Sequence, residues 1–401
     1  MEIMIQKNDP KYVVKRALGQ APLLKGGRAP IEQIDIELTE RCNNNCIHCC
    51  INRPAADLSA GAGEMKTEQV RDFLRQAADL GCLRVRFTGG EPLLRPDFEE
   101  LYIHARRLGL LVSLFTNACL ITPRLADTLQ HVPPRGEIEI TAYGMHRDSY
   151  EAVTRSPGSF ARFRNGLDLL RERQVPFIIR SVLLPPNSHE IDQLADWAGT
   201  VSGMPGKPGQ AFFLDLRNRR DDEQKNARIR SLRLTAREMI SVMARDAAQY
   251  RKDMEAFAAQ FMGPPGDRLF KCGAGKAVCI DSYGKLQPCM GLRMPEWTID
   301  LTSGKATLKE ALARWEGIGS LCARNPEYLR RCARCFLNGL CEQCPAKSWM
   351  EHGDLDTPVE YFCEMSHAQA RYLGWLGRDE KGWEVMNWQE RIAKQRSDDE
   401  R

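Results

Sequence analysis

From residue 31 to 217 the chain alternates between short apolar runs of strand length and longer segments whose apolar residues recur at helical spacing. The runs "IEQIDIEL" (31–38), "LRVRFT" (83–88), "LLVSLFT" (110–116), "EIEITAY" (137–143), "PFIIRSVLL" (176–184) and "QAFFLDLR" (210–217) read as strands. Between them, "TEQVRDFLRQAADLG" and "FARFRNGLDLLRERQ" set apolar residues three and four apart, and a glycine closes the first. Strands joined by helix-length crossovers pair in parallel, so the pattern predicts an α/β fold. Six such units make a barrel that stops short of the usual eight, and barrel chemistry sits at the carboxyl ends of the strands. The loop "TERCNNNCIHCC" follows the first strand directly.

Beyond residue 217 the pattern changes. A charged stretch, "NRRDDEQKNARIRSLR" (218–233), precedes a helix expected over 235–261, which the turn "GPPG" closes. From Cys272 to Cys363 periodic runs are short and Gly, Pro and Cys are frequent, which suggests a module held by metal more than by a large core. The expected division is an extension over 1–30, the barrel over 31–217, a linker and helix over 218–265, the cysteine-rich module over 266–365, and a charged, partly helical tail over 366–401. With 57 basic and 53 acidic residues the net charge is only +4, so nothing global argues for nucleic acid or an anionic membrane. The start, "MEIMIQKNDPKYVVKR", lacks the apolar run of a signal peptide, and no run is long enough to span a bilayer. A cytoplasmic protein is expected.

In a reducing compartment, fifteen cysteines read as metal ligands or reactive thiols. Four lie between Cys42 and Cys50 and nine between Cys272 and Cys363; Cys82 and Cys119 stand in apolar surroundings as core thiols. Cys42, Cys46 and Cys49 have the spacing C-x3-C-x2-C, which lets one loop present three thiolates to a [4Fe–4S] cube and leaves one iron open. A structural zinc site with His48 as fourth ligand is the competing reading. At the end of the second strand, "RVRFTGGEPLL" offers Gly89 and Gly90 for close approach to the backbone, Glu91 as an acceptor for an amino group, and Pro92.

Together these two motifs resemble the radical S-adenosylmethionine (SAM) superfamily over about residues 31 to 217. The resemblance implies a partial (β/α)6 TIM-like barrel whose open iron chelates SAM, with the Gly89–Pro92 backbone holding the methionine amino group. It further implies that Thr141, in "ITAYG", contacts the ribose and that Arg180, in "FIIRSVLL", contacts the SAM carboxylate. Tyr143 stands where many relatives have an acidic residue. Asn117, in "LFTNA", is a candidate contact and equally a turn residue. By the same resemblance His48, where relatives often carry an aromatic residue beside the cluster, is expected to pack near the adenine, and Cys50 is counted as a spare thiol.

The carboxyl-terminal cysteines form C-x11-G-x4-C from Cys272 through Gly284 to Cys289, then C-x2-C-x5-C-x2-C from Cys332 to Cys344. This resembles the SPASM extension of radical SAM enzymes, which carries auxiliary iron–sulfur clusters, although the last gap is two residues where three is usual. By resemblance, one auxiliary [4Fe–4S] cluster takes Cys272, Cys279, Cys289 and Cys344, and the other takes Cys332, Cys335, Cys341 and Cys363. Two zinc ions are the alternative, and Cys322 lies outside the pattern.

The combination implies an enzyme that cleaves SAM reductively and abstracts hydrogen, foremost a maturase acting on a ribosomally made peptide or protein. A tetrapyrrole side-chain decarboxylase is the alternative enzyme, and a non-catalytic iron–sulfur electron carrier is the alternative of another class. About thirty residues before the first strand are too few for a fused leader-binding domain, so a separate leader-recognition protein is expected. A ferredoxin or flavodoxin is the expected electron donor. Asp215 and Asp281 are candidate bases, with capping or surface roles as their competitors.

Overall fold

Alternation along each strand sorts its side chains onto two faces. In the computed structural model, which describes residues 31–201, 203, 209–272 and 274–399, Ile138, Ile140 and Ala142 of β4 (Arg135–Ala142) are buried, whereas Glu137, Glu139 and Thr141 on the other face are not. β3 (Leu111–Thr116) alternates in the same way and β2 (Arg84–Gly89) nearly so, β5 (Ile178–Val182) leaves only Arg180 and Val182 less buried, and β1 (Gln33–Thr39) is buried on both faces from Ile34 onward. These five strands fall close to the runs expected to form them. The expected sixth, 210–217, contracts to β6 (Gly209–Ala211), which pairs only with β5 at the edge of the sheet. The expected extension over 1–30 lies outside the described residues.

Crossover helices carry the chain between strands. They are α1 (Thr67–Asp79), α2 (Phe98–Arg107), α3 (Pro123–His131), the pair α4 (Arg147–Thr154) and α5 (Ser159–Glu172), and α6 (Ile191–Val201). Helical spacing gives each an apolar stripe: α1 buries Val70, Phe73, Leu74 and Ala77, and α5 buries Phe163, Leu167 and Leu170. The Thr122 hydroxyl accepts the Leu125 N–H and Pro123 opens α3, which fixes where that helix begins.

Among the described residues the sheet has nine strands in the order β9-β8-β7-β1-β2-β3-β4-β5-β6, and it is open, so the barrel does not close. Its last three members are β7 (Ala277–Ile280), β8 (Lys285–Gln287) and β9 (Ile299–Asp300). They come from the cysteine-rich stretch, and β7 adds in parallel to the free edge of β1, with Cys279 opposite Asp35. Gly284 turns the β7–β8 hairpin at φ +73°, where a Cβ would lie 2.2 Å from the Thr302 side chain. The buried Asp281 carboxylate accepts the N–H groups of Tyr283 and Lys285 in this turn, a capping role.

Two compact units result. One comprises the described residues to Leu214, Gln224–Leu232 and Gly275–Glu316; the other comprises Asp215–Glu223, Arg233–Ala274 and the residues from Gly317 onward. These units cut across the division drawn from sequence, because the β7–β9 hairpin segment packs with the barrel strands. The second unit owns a true apolar core in which Phe336, Leu337, Leu373, Trp375 and Ile392 meet. Trp375 is 1% exposed, and with Val385 and Ile392 it draws the expected charged tail into that core. Trp375→Ala is expected to destabilise this unit by about 3–5 kcal/mol, read by denaturant unfolding of the full chain.

Candidate functional site

The loop after β1 is clamped at its feet. Arg41–Cys42 pairs with Arg53–Pro54, and the Arg53 N–H donates to the Glu40 carbonyl at 2.8 Å. The crown of the loop sits on the carboxyl end of α4, whose terminal carbonyls have no partner within the helix. Asn45 N–H donates to the Thr154 carbonyl and Ile47 N–H to that of Val153, each at 2.9 Å. The Arg155 guanidinium adds bonds to the Asn45 backbone oxygen (2.8 Å) and side-chain oxygen (2.9 Å). Glu64 is pinned beneath by the Arg41 fork at 2.9 and 3.0 Å.

Held this way, Cys42, Cys46 and Cys49 come together, close enough for a thiolate on one to disfavour a thiolate on the others. Burial pushes the Cys46 thiol up to about 12 and raises that of Cys42 as well. Thiolates in such a place require compensating positive charge. Asn44 N–H points at the Cys42 sulfur and Asn52 N–H at that of Cys49, both at 3.4 Å. Among the described residues, buried Asn43 Nδ2 and His48 Nδ1 lack a hydrogen-bond partner. Three soft donors with backbone N–H groups aimed at sulfur, beside unsatisfied polar atoms, fit an iron–sulfur cluster with a polar ligand. No three of His, Cys, Asp and Glu among the described residues converge tightly enough for a single metal ion.

The glycine pair serves the backbone first. A Cβ on Gly89, at φ +130°, would lie 2.2 Å from the Thr39 oxygen, and one on Gly90 would lie 2.3 Å from the Arg41 oxygen. Gly90 and Glu91 N–H groups donate to those same two carbonyls at 2.7 and 2.9 Å, tying this turn to the segment that feeds Cys42. Glu91 is fully buried and burial raises its carboxyl to about 7. It accepts from the Thr116 hydroxyl and the Asn117 N–H at 2.8 Å and from the Leu93 N–H at 3.1 Å, so it joins the ends of β2 and β3. Pro92 opens the short turn Pro92–Leu94 that follows. Asn117 Nδ2 reaches Asn43 Oδ1 at 2.8 Å and the Cys42 sulfur at 3.8 Å, while its own Oδ1 accepts the Cys119 N–H, so it is both turn residue and loop contact.

His48 packs edge-on against Tyr143, with ring centroids 5.4 Å apart, and burial lowers its imidazole to about 4. The Tyr143 hydroxyl lies beside the Cys46 sulfur. In the sequence Tyr143 stands out only for the acid it replaces; its contact with Cys46 depends on α4 carrying the loop to the end of β4. Thr141 and Arg180 are opposite each other in register on the less buried face of β4 and β5. Arg180 Nε pairs with Glu139 at 3.1 Å. That face also carries Arg86, bonded to Asp35 at 2.7 and 2.9 Å with its guanidinium 4.9 Å from the Phe115 ring.

The carboxyl-terminal cysteines divide. Cys332, Cys335, Cys341 and Cys363 line one cavity of the second unit, together with Tyr328 and Val359. N–H groups of Leu337 and Gln343 point at the sulfurs of Cys335 and Cys341. Four cysteine sulfurs lining one cavity, two of them met by backbone N–H groups, would fit a fully ligated iron–sulfur cluster. Cys272 and Cys344 are neighbours in the same unit. Cys289 and Cys279 belong to the first unit, where Cys279 is fully buried and its sulfur is 3.9 Å from the Arg293 guanidinium. Arg293 in turn bonds Glu37 at 2.5 Å and Asp281 at 3.4 Å. Asp215 is ion-paired with Lys347. Cys50 is half-buried near the first thiols and Cys322 is exposed.

Residues 36–198 match the family described as Radical SAM superfamily. An AdoMet-dependent heme synthase of Methanosarcina barkeri is 26% identical over 342 residues, 79% of this chain and 92% of that protein. A PqqA peptide cyclase of Xanthomonas axonopodis pv. citri is 34% identical over 156 residues, 39% of this chain and 41% of that protein. Among solved structures, native anSMEcpe with bound AdoMet aligns at TM-score 0.60 and 16% identity, covering 85% of this chain and 96% of that one. Streptococcus suis SuiB bound to S-adenosylmethionine aligns at 0.55 and 17%, covering 83% and 77%. These two likenesses are likenesses of fold. No helix among the described residues is long and apolar enough to cross a membrane.

Proposed function

We propose that this chain, with its radical SAM domain over residues 36–198, is an enzyme that cleaves SAM reductively and takes a hydrogen atom from a peptide or protein substrate. The observation that carries the reading is the gathering of Cys42, Cys46 and Cys49 beside the turn of Gly89 to Pro92. Cys42, Cys46 and Cys49 would hold a [4Fe–4S] cluster, which when bound would supply the electron for reductive cleavage of SAM. The protein's own part is positional. Glu91 locks the ends of β2 and β3 under the cysteine loop, Asn117 braces Cys42, and the His48 and Tyr143 rings pack edge-on, with the Tyr143 hydroxyl beside Cys46. Thr141 and Arg180, opposite each other on the less buried face of β4 and β5, are the candidate contacts for the ribose and carboxylate of SAM.

Cys332, Cys335, Cys341 and Cys363 are assigned to an auxiliary iron–sulfur cluster. Cys335→Ser is expected to lower iron by about four per chain while 5′-deoxyadenosine formation persists, as measured by iron assay and chromatography. Loss of SAM cleavage with unchanged iron would contradict that division of labour.

A peptide substrate is favoured by the 34% identity to a PqqA peptide cyclase and by the peptide-bound anSMEcpe and SuiB folds. The second reading, a small-molecule substrate of the tetrapyrrole class, rests on the heme synthase match, which runs over 92% of that relative. Anaerobic turnover separates them. Mass spectrometry of short precursor peptides co-expressed with the enzyme should find a modified product. If instead a propionate-bearing iron porphyrin loses carboxyl groups in the presence of enzyme, SAM and reductant, the peptide reading fails.

A further inference from the structure

The four sulfurs of the second-unit cavity are not treated alike. Backbone N–H groups serve Cys335 and Cys341, whereas Cys363 is met by two side chains. Arg331 Nη2 lies 3.5 Å from the Cys363 sulfur. Its guanidinium is held by both Glu360 oxygens, at 2.7 and 2.9 Å, and stacks 4.9 Å from the Trp383 ring centroid. His367 stands on the other side: its Nε2 accepts the Gly382 N–H at 3.0 Å, so the proton of the neutral ring is on Nδ1. That Nδ1–H faces the Cys363 carbonyl at 2.7 Å and the Cys363 sulfur at 3.6 Å. The segment supplying both Gly382 and Trp383 is drawn in tightly, since a Cβ on Gly382 would lie 2.7 Å from the Cys335 sulfur. Burying a guanidinium against a ligand sulfur is needless for a cluster that serves only as a staple.

We propose that Arg331, with His367 beside it, sets the reduction potential of the auxiliary cluster through Cys363. This rests on the reading that Cys332, Cys335, Cys341 and Cys363 hold an iron–sulfur cluster. Taking up one electron makes the cluster and its thiolates more negative, and no bond or proton need move. A fixed positive charge and N–H donors at one sulfur stabilise that reduced form and raise the potential. Arg331 is therefore a tuning residue rather than a ligand. A guanidinium stays protonated throughout, so the part played by Arg331 is electrostatic.

The test is an anaerobic redox titration of the reconstituted full chain, followed by electron paramagnetic resonance and read beside iron content. Cys42, Cys46 and Cys49 are changed to alanine to silence the first cluster. Arg331→Gln should keep its iron and shift the auxiliary midpoint to lower potential, with Arg331→Lys between. Glu360→Gln leaves the guanidinium but removes its counter-charge, so the midpoint should rise, and this variant decides the matter if Arg331→Gln fails to load. An unchanged midpoint in either loaded variant overturns the proposal. Cys363→Ser with undiminished iron would instead overturn the cluster assignment beneath it, which keeps the two failures distinct.

Discussion

Cys46→Ser is expected to remove about four irons per chain and to reduce 5′-deoxyadenosine formation to background. Cys46 is 7% exposed, sits between Cys49 and the Tyr143 hydroxyl, and belongs to a loop whose position is fixed by α4 and Arg155. Serine keeps nearly the same volume and the same loop bonds, so the fold should stand. What it lacks is a soft donor that ionises readily toward iron. Iron assay and chromatography of anaerobically reconstituted protein read the two losses together. A Cys46→Ser protein that retained full iron and full SAM cleavage would remove Cys46 from the site.

Gly90→Ala is expected to cost about 2–4 kcal/mol and to impair loading of the first cluster, although residue 90 is not a ligand. The added methyl would meet the Arg41 oxygen at 2.3 Å and the Glu40 oxygen at 2.6 Å, both backbone atoms of the segment entering Cys42. Relief requires the β1 and β2 ends to part, which breaks the bonds from Gly90 and Glu91 to Thr39 and Arg41. Gly199→Ala on α6 is the control, since a Cβ there meets nothing within 4 Å. It should stabilise by about 0.5–1 kcal/mol by restricting the unfolded chain. Denaturant midpoints with iron content distinguish the two; equal behaviour would mean that the turn at Gly90 is free to move.

The parallel strands were legible because both signals agree there: alternation within β1 to β5 and helical spacing between them. The sixth run misled, since "QAFFLDLR" has the composition of a strand but finds a partner only as far as Ala211, where its neighbour β5 ends at Val182. The addition of β7 to β1 could not be read, because a four-residue run such as "AVCI" carries no sign of which distant edge it will join. That pairing is why Cys279 of β7 and Glu37 of β1, on strands that periodicity assigned to different modules, both meet Arg293.

Within the candidate site, the loop thiols and the glycine turn were visible as spacing. Their supports were not. Glu64, Arg155 and the Tyr143 contact come from segments 14 or more residues away that only the folded chain brings near. In the second unit, the scarcity of periodic runs suggested a small core, yet Trp375 and Ile392 supply one from a segment whose charge disguised it. Charged residues can coat one side of a helix without weakening the apolar stripe on the other.

Cys42, Cys46 and Cys49 are proposed to hold a cluster with one iron open to SAM. The most direct measurement is the electron paramagnetic resonance spectrum of reduced, reconstituted protein with and without SAM, with Cys335→Ser used to thin the auxiliary signal. A spectrum that changes on adding SAM is expected, and the change should be lost in Cys46→Ser. An identical spectrum with and without SAM, at full iron content, would contradict it.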